Sequence, residues 1–179
     1  MVCAAQDLQF DRLDCSRFFH SLSALRAQEV GATDEASAVR SPRTPVEPRA
    51  FTDRQLYAVA ELGYHYLRSG GYRLAEVLFR GLVVLDGSKG YFWLALGLTC
   101  DRLGDSQEAE RCYIEAAHRS PEDCTPLVNL AELALERRDH RRASNLLIRA
   151  RPKAERSLDT RMIAKIDALI RLGAMGGAR

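Results

Sequence analysis

The sequence predicts an all-α chain in which three helix-turn-helix units stack into a right-handed solenoid, with an amphipathic helix before them and a capping helix after. Three observations carry this. Small and apolar residues recur at a fixed step of 34 residues. Within each unit the apolar spacing is helical and is broken once near the middle by a turn signal. No β-branched alternating run of strand type interrupts the pattern.

The central unit shows the pattern best. Residues 91–121 read YFWLALGLTCDRLGDSQEAERCYIEAAHRSP. Trp93, Leu96, Gly97, Ala109, Tyr113, Ala116 and Pro121 occupy the signature positions of a tetratricopeptide (TPR) repeat, a helix-turn-helix of 34 residues. Gly97 and Ala109 are small where the two helices touch. Trp93, Leu96 and Tyr113 fill the seam, and Pro121 stops the second helix. One step back stand Leu62, Gly63, Ala75 and Phe79; one step forward stand Leu130, Ala131, Ala143 and Ala150. The units are therefore residues 56–89, 90–123 and 124–157.

Taken in order, residues 1–30 carry an N-terminal amphipathic helix, whose periodic part is 7–29. Leu8, Cys15, Phe18, Phe19, Leu22 and Leu25 share one broad face. That face fits packing on the repeats, and equally self-association as a homodimer or contact with a partner. Residues 31–50 form a flexible linker with three prolines and no apolar period.

The repeat domain, 51–157, opens on Thr52 and Gln55 as a capping box, with Phe51 and Leu56 at the staple positions. The first helix of unit one is expected to reach about Arg68, and Ser69-Gly70-Gly71 turns it. The second runs from about Tyr72 to Leu85, where Asp86-Gly87-Ser88 breaks the chain. The helices of unit two meet at Gly104-Asp105, and those of unit three near Arg138-Asp139-His140. Pro152 is expected to end or bend the last of them.

A capping helix is expected over about 155–172, its core part 158–172. Leu158, Met162, Ile163, Ile166, Leu169 and Ile170 form one stripe, and Arg156, Arg161, Lys165 and Arg171 decorate the other side. Such a one-sided helix covers the open end of a repeat stack. Residues 173–179 are expected to be disordered.

Composition narrows the function class. The 179 residues suit one domain with tails, and 46% hydrophobic content suffices for a core. Net charge is only +2, and no basic stripe interleaved with aromatics points to nucleic acid. No run of about 18 apolar residues spans a membrane, and the first residues lack the basic start of a secretory signal. The five cysteines show no CxxC pairing. Cys100, Cys112 and Cys124 fall in or at the start of helices, where a free thiol acts as a small apolar residue. A reducing cytoplasm is expected.

Catalysis is not expected. His20, His65, His118 and His140 are scattered, and none stands at a ligand spacing from Cys, Asp or Glu. Ser69-Gly70-Gly71-Tyr72 lacks the strand before it and the Lys-Ser/Thr after it that a phosphate loop needs. No nucleophile elbow or HExxH motif occurs. Neither a cofactor nor a metal is called for.

Function is then expected on the concave side, which the first helix of each unit lines. The inward positions are Tyr57, Ala60, Tyr64, Leu67 and Arg68 in unit one, and Tyr91, Leu94, Leu98, Asp101 and Arg102 in unit two. In unit three they are Thr125, Val128, Glu132, Leu135 and Glu136. The first two sets make an apolar, tyrosine-rich floor and the third turns acidic. A groove of this kind takes a protein segment, extended or helical, with spaced apolar anchors. Each residue could instead pack against a neighbouring helix. A clamp for a C-terminal carboxylate is disfavoured by charge: Ala60, Tyr64, Ala95 and Thr125 stand at the comparable sites, and only Asn129 fits.

With these residues in view, the chain resembles the class II chaperones of bacterial type III secretion, small TPR proteins that hold translocator subunits. The resemblance rests on Ser69-Gly70-Gly71-Tyr72, on Leu82-Val83-Val84-Leu85-Asp86, and on Tyr91-Phe92-Trp93-Leu94-Ala95-Leu96-Gly97. It continues through Leu103-Gly104 to Ala109, and it covers about residues 55–150. Ala60 stands where the family usually has Tyr, Leu67 replaces an aromatic, and the linker is long and rich in proline. The resemblance implies a cytoplasmic chaperone whose partner is a secreted translocator, with the leading helix associated with dimer formation. A generic TPR scaffold and a needle-subunit co-chaperone stand as alternatives.

Overall fold

The computed structural model describes residues 51–176. The leading helix, the linker and residues 177–179 lie outside the described residues. Seven helices follow one another: α1 Asp53–Ser69, α2 Tyr72–Leu85, α3 Gly90–Arg102, α4 Ser106–Arg119, α5 Thr125–Glu136, α6 His140–Arg156 and α7 Thr160–Gly176. No strand occurs among the described residues. Helices pack in sequence, α1 on α2, α3 on α4 and α5 on α6, each pair contacting the next, and α7 closes on α6. This is the predicted three-repeat all-α stack.

The turn inside each unit repeats atom for atom at the 34-residue step. Gly70, Gly104 and Arg138 have φ of +85°, +84° and +60°. The next residue's N–H reaches back over the helix end: Gly71 to Tyr66 O at 2.8 Å, Asp105 to Cys100 O at 2.9 Å, Asp139 to Ala134 O at 2.8 Å. A left-handed residue followed by this bond satisfies carbonyls that a helix end leaves without donors. Asp105 and Asp139 then cap the following helix, each accepting from the backbone N–H three residues on at 3.0 Å. The same device joins α6 to α7. Leu158 has φ +54°, Asp159 N–H bonds Ala154 O at 3.1 Å, and Asp159 Oδ1 accepts from Met162 N–H at 3.0 Å.

The seam within each unit is a match of sizes. Gly63 faces Phe79, Gly97 faces Tyr113, and the corresponding pair in unit three is Ala131 and Leu147. All three large partners are essentially buried. A Cβ on Gly63 would stand 2.9 Å from Phe79 Cζ, and one on Gly97 would stand 2.6 Å from Tyr113 Cε1. Where the partner shrinks to leucine, a Cβ fits. The middle of the stack is α5, whose residues 126–134 are all buried. Apart from Asn129 and Glu132 that stretch is apolar, and a helix buried along its length belongs between neighbours on every side. Cys100, Cys112 and Cys124 are buried free thiols.

Five expectations need correction. Of the two outcomes expected at Pro152, ending α6 is ruled out, since the helix runs on to Arg156. A proline costs one backbone bond and crowds the preceding turn. Pro152 lies on an exposed side, where water serves the freed carbonyl, while Ala150 and Ala154 hold the opposite side in the core. The capping helix accordingly begins at Thr160, not within 155–158, and it continues to Gly176, into the stretch expected to be disordered. Leu158 is not in its stripe: it forms the turn and is 84% exposed, leaving Met162 and Ile166 as the buried anchors. Lys165 does not decorate the solvent side. It meets Glu132 at 3.1 Å with little of its side chain exposed.

Candidate partner-binding surface

The surface grows from α1, α3 and α5, the first helices of the three units. Tyr57 and Tyr64 lie two turns apart on α1, and Tyr91 opens α3. Tyr64 and Tyr91 stack with ring centroids 6.1 Å apart and planes 16° from parallel. Tyr57 sits tilted on Phe92 at 6.0 Å, and Tyr91 meets Phe92 at 6.0 Å. Beneath them Tyr64 meets Phe79 of α2 edge-on at 6.2 Å. Rings at these distances gain beyond their burial alone. Phe79 and Phe92 are fully buried, whereas Tyr57 and Tyr91 keep part of their surface open. Lys89 borders the cluster, 6.0 Å over the Tyr57 ring and 3.3 Å from Asp53.

Of the fifteen inward positions, the ten of units one and two together with Val128 and Glu132 form the expected groove, and they divide into two groups. Tyr57, Tyr91, Leu94, Asp101 and Arg102 are half-buried and Arg68 is exposed. Ala60, Tyr64, Leu67, Leu98, Val128 and Glu132 are buried. The side chains of the second group are enclosed between helices, as the packing alternative expects, and the first group keeps the open surface. Tyr64 nonetheless contributes, because its ring backs Tyr91. Glu132 is also not a free acidic end, since Lys165 of α7 reaches it. The acidic tendency stays with Glu136, which is exposed.

Phe92 and Lys89 touch Tyr57, and Lys165 pairs with Glu132; all three border candidate residues and escape the register argument. Phe92 directly follows an inward position, so only its aromatic character hints at a role. Lys165 comes from the capping helix, outside the repeats. Among the described residues no group of three or more His, Cys, Asp or Glu could hold a metal, and no helix is long and apolar enough to cross a membrane.

The arrangement offers tyrosine faces and the Tyr57 hydroxyl beside an aliphatic patch at Leu94, rimmed by Arg68, Asp101 and Arg102. No protein-family model and no curated protein matches the chain. Solved structures do. The translocator chaperone SycD of Yersinia enterocolitica type III secretion superposes with a TM-score of 0.68 at 19% identity, covering 72% of this chain and 90% of that one. PcrH of Pseudomonas aeruginosa gives 0.67 at 21% identity, covering 73% and 99%. The TPR2B domain of yeast Sti1, solved with a pHsp70 partner, gives 0.64 at 14% identity, covering 67% and 96%. The chain therefore has the tetratricopeptide fold found in type III secretion translocator chaperones.

Proposed function

We propose that this protein is a TPR chaperone that binds an apolar-anchored segment of a secreted translocator. What supports this most is the set of structural neighbours. SycD has been solved with a peptide of the translocator YopD, and PcrH with the chaperone-binding regions of PopD and PopB. The fold is shared with them over about seven-tenths of this chain. The second support is the half-open pair Tyr57 and Tyr91 on a rigid aromatic base. Such rings bind a segment at little entropic cost. The Tyr91 hydroxyl is buried, so Tyr91 offers its ring face, whereas the Tyr57 hydroxyl can meet the segment's backbone.

The physical logic is one of holding. A translocator must insert into a membrane, so its apolar segments aggregate when left in water. Capturing one such segment keeps the cargo soluble. The surface proposed for this is Tyr57, Tyr91, Leu94, Asp101, Arg102 and Arg68, with Tyr64 behind. Self-association through residues 7–29 and action in the cytoplasm belong to the same reading; one SycD structure is an alternative dimer. The Sti1 neighbour favours a second reading, a general TPR scaffold.

Co-expression separates the two. A translocator with two membrane-spanning segments, from the same source, is expressed with and without this protein. The chaperone reading expects the translocator to move from the pellet to the soluble fraction and to co-purify. Equal solubility in both cultures rejects it and leaves the scaffold.

A further inference from the structure

Charge is not spread evenly along this chain. Residues 137–179 hold twelve lysines and arginines against four acids, a net of +8, while residues 1–136 carry a net of −6. The overall +2 hides this separation. Much of the positive charge sits on α6 and the turn before it. Several of these cations are committed. Arg137 and Arg142 grip Glu110, Arg151 holds Glu155 and Asp167, and Lys153 donates to the Pro121 carbonyl.

Arg138, Arg141 and Arg149 are not committed. They are exposed and their side chains form no ion pair among the described residues. Arg156 adds a fourth guanidinium, in a loose pair with an equally exposed Glu122. Steps of four, seven and eight residues put Arg141, Ile148, Arg149, Pro152 and Arg156 on one side of α6. Ile148 is 63% exposed in the middle of them. This is the second-helix side of unit three, away from the tyrosine cluster. No residue of the fold needs these arginines, and placing like charges along one helix is unfavourable.

We propose that this face is a docking surface for an acidic protein segment that presents carboxylates around one apolar side chain. Three features favour that occupant. The cations are all arginines, whose planar fork matches a carboxylate with two parallel bonds. Arg141, Arg149 and Arg156 line a single helix, with Arg138 in the turn that leads into it, so they suit a narrow partner. One aliphatic residue lies among them and no aromatic, whereas an interfacial helix buries several large apolar residues in lipid. The surface is independent of the tyrosine site and would let the protein hold cargo and a second partner together.

The test uses the full chain and a labelled synthetic helical peptide with glutamates on one face and a leucine among them. Fluorescence anisotropy should report binding that weakens with added salt. The triple variant Arg138→Glu, Arg141→Glu, Arg149→Glu should lose affinity by roughly tenfold or more, and Ile148→Ser should lose part of it. Should the charge reversals impair folding, the same three positions changed to Gln carry the test, with thermal melts by circular dichroism as the control. No binding by the wild type, or equal binding by the triple variant, overturns the proposal. Two further results also overturn it. One is tighter binding to phosphatidylglycerol vesicles or duplex DNA than to the peptide, lost in the variant, which would assign the face to lipid or nucleic acid. The other is concentration-dependent self-association that the variant abolishes, which would make the occupant a second copy with its acidic remainder.

Discussion

A methyl group placed on Gly97 would stand 2.6 Å from Cε1 and 2.7 Å from Cδ1 of Tyr113. The two helices of the central unit meet here, and the ring, 1% exposed, has nowhere to withdraw. Gly97→Ala is therefore expected to cost about 1–3 kcal/mol, as overpacking of a filled core does. Unit three shows the remedy, since Ala131 faces Leu147 at the same register. Tyr113→Leu alone should open a cavity and also destabilise. The double variant should be more stable than the sum of the two losses, because each change relieves the other. Urea unfolding of the four proteins measures this. Strict additivity would mean that the contact does not set the helix spacing.

Arg138 and Leu158 occupy left-handed backbone, at φ +60° and +54°, where the other within-unit turns use glycine. For a residue with a Cβ this region costs roughly 1 kcal/mol. Leu158 is also almost fully exposed, so little packing is lost with its side chain. Arg138→Gly and Leu158→Gly should each raise stability by about 0.5–1 kcal/mol, and Gly104→Ala should lower it by a similar amount. Thermal melts give the answer. A fall in Tm for both glycine variants would show that these side chains supply contacts worth more than the backbone strain.

Glu110 links two units. From α4 it accepts hydrogen bonds from Arg137, just past α5, and Arg142, in the first turn of α6. Burial pushes its carboxyl up, but the bonds from Arg137 and Arg142 outweigh that and hold it below the usual carboxylate range. A carboxyl whose folded value is depressed stabilises the fold above its unfolded value of about 4.3. That contribution fades as pH falls through the folded value, because protonation then costs the native state its ion pair. Both arginines are partly exposed, so the effect is expected near 1 kcal/mol. At pH 7 Glu110→Gln should be the less stable protein. The gap should close as the pH drops below about 4. A gap of constant size across that range would place the effect in packing, not charge.

The stack itself was legible because its signals are repeated and local. A small residue opposite a large one recurs every 34 residues, with a glycine at the turn in units one and two and an aspartate after it in units two and three. The third turn is less visible, since Arg138 takes the glycine's place, and only the period locates it. Pro152 misleads because a stop signal is conditional. On an exposed side its lost bond goes to water, and the burial of Ala150 and Ala154 carries α6 onward. The site is harder for a different reason. Helical register tells which way Ala60, Leu67 and Val128 point, but not which of them neighbouring helices cover. Packing turns half of an inward face into core, and only three dimensions separate it from the open half.

That separation decides how the binding surface should be probed. Tyr64→Ala and Leu98→Ala look suitable by register, yet both side chains are buried. Truncating them should cost about 2–5 kcal/mol of stability and confuse binding with unfolding. Tyr91 and Leu94 are half-open. Tyr91→Ala removes the ring that stacks on Tyr64, and Leu94→Ala removes the aliphatic patch beside it. Each should weaken binding of a peptide from the translocator's chaperone-binding region by about 1–2 kcal/mol, while the melting temperature shifts by only a few degrees. Tyr64→Phe should bind nearly as the wild type, because the ring behind Tyr91 is kept. Calorimetric titration with parallel thermal melts measures both quantities. If Tyr91→Ala and Leu94→Ala both bind with wild-type affinity, the cargo does not touch this face.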